Sequence, residues 1–501
     1  MISKIHSVVP YGFEGKLVEV EGDMNKGLPA FNIVGMANKT VSEAKERVRS
    51  AIVNSKFSFP DKKVTINLAP ADLLKDGAYL DVPIALAILM LSGQIIKSDT
   101  TNSAFVGELS LDGEIRPVKG IINIVEAAKT AGYKSIYVPL KNLPQTRMLS
   151  GIDIYGAGSL QDLYLALKRQ IELPDANTAK CVAKKDNKNG EVMLDHIRGQ
   201  EVAKRAMTIA IAGHHNILIS GPPGAGKTLL AKAAMNLLPE LTPMEMVEVT
   251  KIYSLAGLST DDLVMERPFR SPHHTASATS IIGGVAGPGE ISLAHKGLLF
   301  MDEIPEFQRS VLESLRQPLE DKTIVVSRAG SKTRYPADFM LVATMNPCPC
   351  GYLGDPTHEC KCTETQIQNY QKKLSGPLFD RIDMNVSVEK VKNTELRAPL
   401  QATGRQHSVV KNNITEAIAR QKARYGADGF YNSSLSSFAV SQKLRLEPAA
   451  DKLLADASEK LNLSARAYFK TIKVAQTIAD LDGADIILAK HLAEALTYRR
   501  R

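Results

Sequence analysis

Residues 216–228 read NILISGPPGAGKT, and this stretch decides the fold of the middle of the chain. The apolar run at its start predicts a buried strand, and a G-x-x-x-x-G-K-T motif joins that strand to a predicted helix. Glycines allow the backbone to wrap closely around a phosphate, so that several N–H groups and the helix N-terminus point at it. We therefore predict a phosphate-binding loop of eight residues, Gly221, Pro222, Pro223, Gly224, Ala225, Gly226, Lys227 and Thr228.

A second segment supplies the carboxylates that such a loop needs for hydrolysis. Residues 298–303 read LLFMDE, an apolar strand that ends in two acidic residues. Asp302 is predicted to hold Mg²⁺ together with Thr228, while Lys227 reaches the β- and γ-phosphates and Glu303 activates water as a general base. An acidic pair that merely caps the following helix is the alternative. With the phosphate loop upstream, the two segments predict a hydrolase of ATP or GTP.

The wider pattern predicts several units. Residues 340–344 (MLVAT) form a third apolar run, and strands that alternate with helices predict a parallel α/β sheet. The polar stretch 171–190 predicts a linker, so we expect a domain over 1–170, an ATPase core over 191–393 and a helical lid over 394–501. The last two helices of that lid are predicted to begin at Ser464 and Asp485, which are good N-caps.

Composition limits the class of protein. The 501 residues include 62 Lys and Arg against 54 Asp and Glu, a net charge of +8 that permits nucleic acid as a partner without demonstrating it. The first ten residues lack the apolar segment of a secretory signal. The apolar run 82–91 is about half as long as the ~20 residues that cross a bilayer. We expect a soluble, cytoplasmic protein with no membrane partner.

Four of the five cysteines form a C-x-C-x₉-C-x-C cluster, namely Cys348, Cys350, Cys360 and Cys362. Four thiolates from two short turns can surround Zn²⁺ tetrahedrally, which would fix the intervening loop. Four reduced thiols packed in a loop are the alternative, because C-x-C is less diagnostic than C-x-x-C.

The segments GPPGAGKT, LLFMDE, VATMNP and LSGPLFDRID resemble those of AAA+ ATPases, in the branch that holds magnesium-chelatase subunits and MCM helicases. Over nearly the whole chain the sequence is similar to the YifB/ComM family of magnesium-chelatase-like proteins. The resemblance implies a P-loop AAA+ core, a helical lid, and ATP and Mg²⁺ as cofactors. It also implies a homohexameric motor acting on single-stranded and branched DNA independently of sequence, a branch-migration helicase of natural transformation.

The resemblance also implies roles for single residues. Asn346 matches the sensor that contacts the γ-phosphate or water, Arg381 the arginine finger that enters a neighbouring subunit's site, and Arg466 the second sensor. Either arginine could instead be an ordinary surface ion-pair residue. Residues 280–290 and a hairpin over 324–335, with Arg328, Lys332 and Arg334 near its tip, fit the positions of DNA-contacting elements; a solvated turn is the alternative.

The N-terminal part resembles the proteolytic domain of Lon proteases, which has a ribosomal S5-like α+β fold. Where that family carries its nucleophilic serine, after Lys75-Asp76-Gly77, this chain has Ala78 and Tyr79, and Ile122 stands in the place of the lysine partner. Covalent peptide hydrolysis has no nucleophile here. We expect a non-catalytic scaffold for ring assembly or DNA contact. Besides a DNA motor, the open alternatives are a chelatase-type ATPase that remodels a protein partner and, against these substitutions, a Lon-like protease.

Overall fold

In the computed structural model, the described residues are 2–35, 38–71, 73, 75, 78–176, 192–258, 262–284, 287–328, 331–355, 358–391, 404–426 and 429–499. The N-terminal part is built on a seven-stranded mixed sheet with the order β3-β4-β2-β1-β5-β8-β9, beside a small β6-β7 ladder. Its strands are β1 (Ile2–Tyr11), β2 (Glu14–Asn25), β3 (Ala30–Val34), β4 (Lys63–Ala69), β5 (Ser103–Phe105), β6 (Glu108–Leu109), β7 (Ile115–Arg116), β8 (Ser135–Pro139) and β9 (Asp153–Ala157).

One apolar helix organises the core of this part. The helices are α1 (Asn38–Asn54), α2 (Asp81–Leu91), α3 (Ile121–Thr130), α4 (Leu143–Thr146) and α5 (Leu160–Leu167). Every residue of α2 is buried, as its uninterrupted apolar sequence predicts. Its one charged residue, Asp81, accepts a hydrogen bond from Arg47 Nε at 2.9 Å. Burial nevertheless raises the pKa of Asp81 to about 6.

The middle of the chain forms a five-stranded sheet with the order β11-β14-β17-β10-β18, in which all neighbouring strands are parallel. Its strands and the small hairpins beside them are β10 (Ile217–Ser220), β11 (Phe269–Arg270), β12 (Gly283–Gly284), β13 (Gly287–Pro288), β14 (Leu298–Met301), β15 (Thr323–Arg328), β16 (Ser331–Pro336), β17 (Met340–Met345) and β18 (Met384–Ser387). Because both faces are covered, the strands are continuous apolar runs.

Helices cover the two faces of this sheet. Within and around the sheet they are α6 (Glu201–Gly213), α7 (Lys227–Leu237), α8 (Pro243–Ala256), α9 (Ala278–Ile282), α10 (Glu290–Leu293), α11 (Arg309–Ser314), α12 (Arg316–Asp321), α13 (Glu364–Lys372) and α14 (Gly376–Phe379). The C-terminal helices are α15 (Arg405–Tyr425), α16 (Ser437–Lys443), α17 (Pro448–Lys460), α18 (Ala465–Leu481) and α19 (Ala489–Thr497). One core joins α6, α7 and α18 to the sheet face that Ile217 and Ile219 present, while Leu218 faces the other core.

These elements confirm the predicted fold class, a parallel α/β core with an α+β part before it and helices after it. The predicted start of α18 is also confirmed, because Ser464 Oγ accepts a hydrogen bond from Ala467 N at 3.2 Å. The predicted start of the last helix at Asp485 is wrong: α19 begins at Ala489, after Leu488 in an extended conformation. Asp485 instead lies 3.3 Å from Arg420 Nη1, so its carboxylate serves an ion pair.

The N-terminal part packs against α8 of the middle part through polar contacts. Ser254 Oγ accepts a hydrogen bond from Gly120 N at 2.9 Å, and Lys251 forms an ion pair with Glu126 at 2.5 Å. Ala176 is buried, and its N–H donates to the carbonyl of Ile154 at 3.1 Å, so the chain packs on the first sheet as far as residue 176. The predicted linker continues through 177–190, outside the described residues. Among the helices described, none has the length and apolarity that a membrane span requires.

Candidate nucleotide site

Three strands of the parallel sheet end side by side and deliver the predicted site residues to one edge. Ser220 of β10 pairs with Met345 of β17, and Met301 of β14 pairs with Ala343 two residues earlier. The residues after these ends are therefore neighbours: the phosphate loop, the Asp302–Glu303 pair and Asn346. The carboxyl edge of an open α/β sheet is the usual place for a ligand.

The glycines of the loop stand at positions where a residue with a side chain would be unfavourable. Gly224 and Gly226 have φ values of 76° and 83°, and open space lies where a Cβ would stand. At Gly221 the reason is contact, because a Cβ would lie 2.4 Å from Val388 Cγ2. The open space above the loop and its left-handed backbone form a cradle that fits a phosphate group.

Lys227 lies under this cradle and is 8% exposed. Its ammonium donates to Asn346 Oδ1 at 2.8 Å and to the carbonyls of Gly221 and Pro222. Burial lowers the pKa of Lys227, and the charges of Asp302 and Glu303 only partly offset this. The lysine is thus a buried cation held at the loop by neutral acceptors, which is the arrangement that an anionic ligand would complete.

A threonine that the sequence analysis did not single out joins the two carboxylates. Thr344 Oγ1 donates to Asp302 Oδ1 at 2.5 Å and accepts from Glu303 N at 3.0 Å. The other oxygen of Asp302 accepts from Thr228 Oγ1 at 3.2 Å, so the two predicted Mg²⁺ ligands lie together. The signal was a polar residue inside an apolar strand, two positions before Asn346 and therefore on the same face.

Glu303 follows Asp302 in a left-handed conformation, with φ 50° and ψ 51°. Such backbone is costly for a residue with a side chain and persists where surrounding contacts enforce it. Asn346 Nδ2 donates to Glu303 Oε1 at 3.3 Å, so the amide links the carboxylate to Lys227. The predicted sensor, general base and phosphate-binding lysine form one continuous network.

The four clustered cysteines lie immediately after this network. Their sulfur atoms are all within 4.8 Å of one another, and Cys348 Sγ is 3.4 Å from Cys350 and 3.6 Å from Cys360. Sulfurs about 2.3 Å from a zinc ion at tetrahedral corners would be about 3.8 Å apart, so the cluster fits Zn²⁺. The loop also contacts the nucleotide site, because a Cβ on Gly351 would lie 2.7 Å from Pro223 Cδ.

Arg381 is at the opposite, amino edge of the same sheet. Asn216, directly before β10, donates from Nδ2 to the carbonyl of Arg381 at 3.2 Å. The phosphate loop follows the other end of β10, and four strand residues alone span about 13 Å. Arg466, near the start of α18, donates to the same carboxylate as Arg381, that of Glu320. The structure brings the two predicted arginines together and separates them from the phosphate loop of their own chain.

Comparison with known sequences agrees with this site. Residues 193–396 match the family described as "Magnesium chelatase, subunit ChlI", 20–142 that described as "Subunit ChlI of Mg-chelatase", and 404–499 its "C-terminal" counterpart. The chain is 41% identical to "Competence protein ComM" of Haemophilus influenzae, with 99% of this chain and 97% of that protein covered. It is 40% identical to "Uncharacterized protein YifB" of Escherichia coli, with the same coverage.

The chain belongs to the ComM/YifB family of magnesium-chelatase-like AAA+ ATPases. ATPases of the ChlI type use ATP and Mg²⁺. A more distant relative is "Magnesium-chelatase 67 kDa subunit" of Chlorobaculum parvum, 28% identical over 31% of this chain and 23% of that protein. The family that matches residues 20–142 is also named after the ChlI subunit. The presence of the N-terminal part therefore does not by itself distinguish ComM/YifB proteins from chelatase subunits.

The predicted DNA-contacting hairpin of this ComM/YifB protein is present. Strands β15 and β16 pair antiparallel from Thr323 with Pro336 to Arg328 with Ser331. Lys332 and Arg334 are exposed on β16, whereas residues 329–330 and the Arg328 side chain are outside the described part. In the glycine-rich segment 280–290, β12 and β13 pair in a second, very short hairpin, and residues 285–286 are not described.

The positions that correspond to the Lon catalytic pair contain no such pair among the residues described. Ile122 is fully buried on α3, and Ala78 and Tyr79 precede α2. Asp76 and Gly77 lie outside the description. Lys75 is buried, and its ammonium donates to main-chain carbonyls, including those of Leu73 at 3.3 Å and Gly35 at 3.4 Å.

Proposed function

We propose that this protein is an ATP-driven ring motor acting on DNA, a ComM-like helicase that promotes branch migration when incoming DNA recombines in natural transformation. In this proposal the loop from Gly221 to Thr228 binds the phosphates, and Thr228 and Asp302 hold Mg²⁺, which neutralises phosphate charge when bound. Glu303 accepts a proton from water, and Asn346 orients Glu303 and the phosphate end of the site. The hydrogen bonds that join Lys227, Asn346 and Glu303 support these roles.

The observation that carries the ring is the placement of Arg381. A cation at the amino edge of the sheet lies a whole strand length from its own phosphate loop, yet it can approach the loop of another copy. If each copy contacts the next in this head-to-tail way, the same interface repeats around the assembly, and the assembly is finite when it closes into a ring. We propose a homohexamer with Arg381 as its arginine finger and Arg466 as a second arginine of the same interface.

DNA is proposed as the partner because the hairpin exposes cationic side chains to solvent. Lys332 and Arg334 are exposed, and between them the hairpin packs on the N-terminal part, where a Cβ on Gly12 would lie 2.5 Å from Thr333 Cγ2. Cations on a hairpin grip phosphates without reading bases. The similarity to a competence protein over nearly the whole chain supports the same partner.

We propose the domain division 1–170, 171–190, 191–393 and 394–501 for this motor, with the N-terminal domain as a non-catalytic scaffold. Its contacts support that role, because it packs on α8 and on the β15–β16 hairpin. A scaffold mounted on both elements would keep the hairpin in position while the ATPase core moves. The cytoplasm is the proposed location, as it is where ATP and chromosomal DNA are found together.

Steady-state ATP hydrolysis tests the proposal. We expect single-stranded and branched DNA to stimulate hydrolysis several-fold, and Lys227→Ala to abolish both the basal and the stimulated rate. The double variant Lys332→Glu, Arg334→Glu should keep the basal rate and lose the stimulation. Lys452→Glu, an exposed charge reversal on α17, is its matched control. A wild-type rate of ATP hydrolysis that does not change when DNA is added would contradict the proposed DNA motor.

A chelatase-type ATPase that remodels a protein partner is the second candidate. The similarity to a magnesium-chelatase subunit and the ChlI match over residues 20–142 favour it. It predicts hydrolysis that DNA leaves unchanged and a partner protein stimulates. The DNA titration therefore separates the two candidates.

A further inference from the structure

Two arginines from different parts of the chain end on one carboxylate. Glu320 is the next-to-last residue of α12, Arg381 follows α14 in the core, and Arg466 lies near the start of α18. Glu320 Oε2 accepts from Arg381 Nη2, and Glu320 Oε1 accepts from Arg466 Nη2 at 3.1 Å. Each oxygen holds one guanidinium, so this single side chain sets the separation between a core arginine and a helical-lid arginine.

The three side chains are unequally exposed. The Arg381 side chain is 13% exposed and also donates from Nη1 to the carbonyl of Pro377 at 2.7 Å, so the core fixes it. Arg466 and Glu320 are 40% and 48% exposed. Although burial acts to raise it, the two arginines hold the pKa of Glu320 below its ordinary value. The trio therefore consists of two cations and one anion, and its net positive charge is partly exposed to solvent.

The trio borders a cavity of about 650 Å³ between the core and the C-terminal helices. Three lysines and three aspartates also line it, namely Lys322, Lys470, Lys473, Asp338, Asp380 and Asp383, and among its described lining residues none comes from the phosphate loop 221–228. The two arginines at this cavity thus have no phosphate site of their own chain to serve. A phosphate group brought by another copy would complement their charge.

We propose that Glu320 is a positioning residue, which holds Arg381 and Arg466 at the spacing at which both contact one terminal phosphate of a neighbouring copy. The inference rests on the proposed ring, and it adds the group that orients the arginines. A free arginine side chain loses rotamer entropy when it is fixed. A pre-oriented pair has already lost that freedom before ATP arrives, and preorganised cations stabilise developing charge without rearrangement.

The test compares Glu320→Gln and Glu320→Ala with Glu313→Ala. Glu313 is a matched control because it pairs with Arg316 at 2.8 Å and contacts neither predicted arginine. We expect kcat to fall on the order of tenfold in Glu320→Gln and further in Glu320→Ala. The KM for ATP should stay within about twofold, because the phosphate loop of the same chain is remote from Glu320. A destabilised fold would instead change both constants and the melting temperature.

Mixing of subunits separates this inference from the ring itself. A Glu320→Ala chain has an intact phosphate loop, and a Lys227→Ala chain has an intact arginine pair, so mixed rings should hydrolyse ATP faster than rings of either variant alone. Arg381→Ala mixed with Lys227→Ala should recover in the same way. If the Arg381 mixture recovers while Glu320→Ala alone matches or exceeds the wild-type rate, Glu320 does not position the arginines. If the Arg381 mixture fails to recover, the ring proposal fails with it.

Discussion

The two edges of the parallel sheet differ in how fully the predicted site residues are bonded to one another within one chain. At the carboxyl edge, Lys227, Asn346, Glu303 and Asp302 are joined through hydrogen bonds within one chain. At the amino edge, Arg381 and Arg466 share one half-exposed carboxylate, that of Glu320. A single copy thus builds its nucleotide cradle alone, whereas in the proposed ring its arginines act on the phosphate of a neighbouring copy. Variants at the amino edge should therefore lower turnover and leave nucleotide affinity unchanged, whereas variants at the carboxyl edge can change nucleotide affinity, turnover or both.

Arg381→Ala is expected to have the largest effect on turnover. An arginine finger contributes about 10³–10⁵ in rate, so kcat should fall by that factor, while the affinity for a fluorescent ATP analogue changes by less than about twofold. The control is Arg420→Ala, which removes an arginine paired with Asp485 on the exposed surface. Loss of nucleotide affinity in Arg381→Ala would place this arginine at its own phosphate loop and remove the distinction between the edges.

Glu303→Gln tests the carboxyl edge without disturbing its shape. The amide keeps an acceptor for Asn346 but takes no proton from water, so kcat should fall by about 10²–10⁴ while ATP still binds. Glu306→Gln is the matched control, three residues later and paired with Lys373 at 3.2 Å. Single-turnover hydrolysis measures the step directly. An unchanged single-turnover rate would mean that another group activates water.

Much of the carboxyl edge could be predicted because it depends on local sequence and one topological fact. An apolar run followed by a glycine-rich motif gave the strand and loop, and parallel strands bring their carboxyl ends together. Glu320 was not predictable, because its partners are distant in sequence and nothing in RQPLED marks that glutamate. Asp485 failed as a predicted cap because Arg420, 65 positions earlier, takes its carboxylate.

Thr344→Val is expected to have an intermediate effect. The change preserves volume but removes the hydroxyl that contacts both Asp302 and the Glu303 backbone. Loss of such a supporting contact typically costs about 10–100-fold in metal affinity or activity. The Mg²⁺ concentration for half-maximal hydrolysis should rise, and Thr344→Ser should restore it. The control is Thr415→Val on α15, whose hydroxyl donates to the carbonyl of Lys411 in the same helix. Equal Mg²⁺ dependence in Thr344→Val and wild type would show that the hydroxyl does not support the metal site.

The cysteine cluster should influence the carboxyl edge alone. We propose one Zn²⁺ per chain, measurable by elemental analysis and lost in the double variant Cys348→Ser, Cys360→Ser. Because the loop packs on Pro223, nucleotide affinity should weaken by up to about tenfold. Mixing the double variant with Lys227→Ala should still restore ATP hydrolysis, because the arginines of the double variant are intact. Cys181→Ser removes the fifth cysteine as a control. Metal content that is the same in both variants would refute the site.

The smallest expected difference between the edges is in their response to pH. The folded-state pKa of Lys227 lies below the ordinary 10.5, so its ammonium loses the proton at a lower pH than in the unfolded chain. As pH rises toward 10.5, this group's contribution favours the folded state, because the unfolded chain holds more protons. Phosphate binding needs the charged form, so ATP affinity should begin to fall at a lower pH than the ordinary lysine value of 10.5 would allow. Lys227→Arg should show no such decline, and neither should kcat at saturating ATP, since arginines at the amino edge keep their charge throughout. A decline confined to kcat would assign the titrating cation to the amino edge instead.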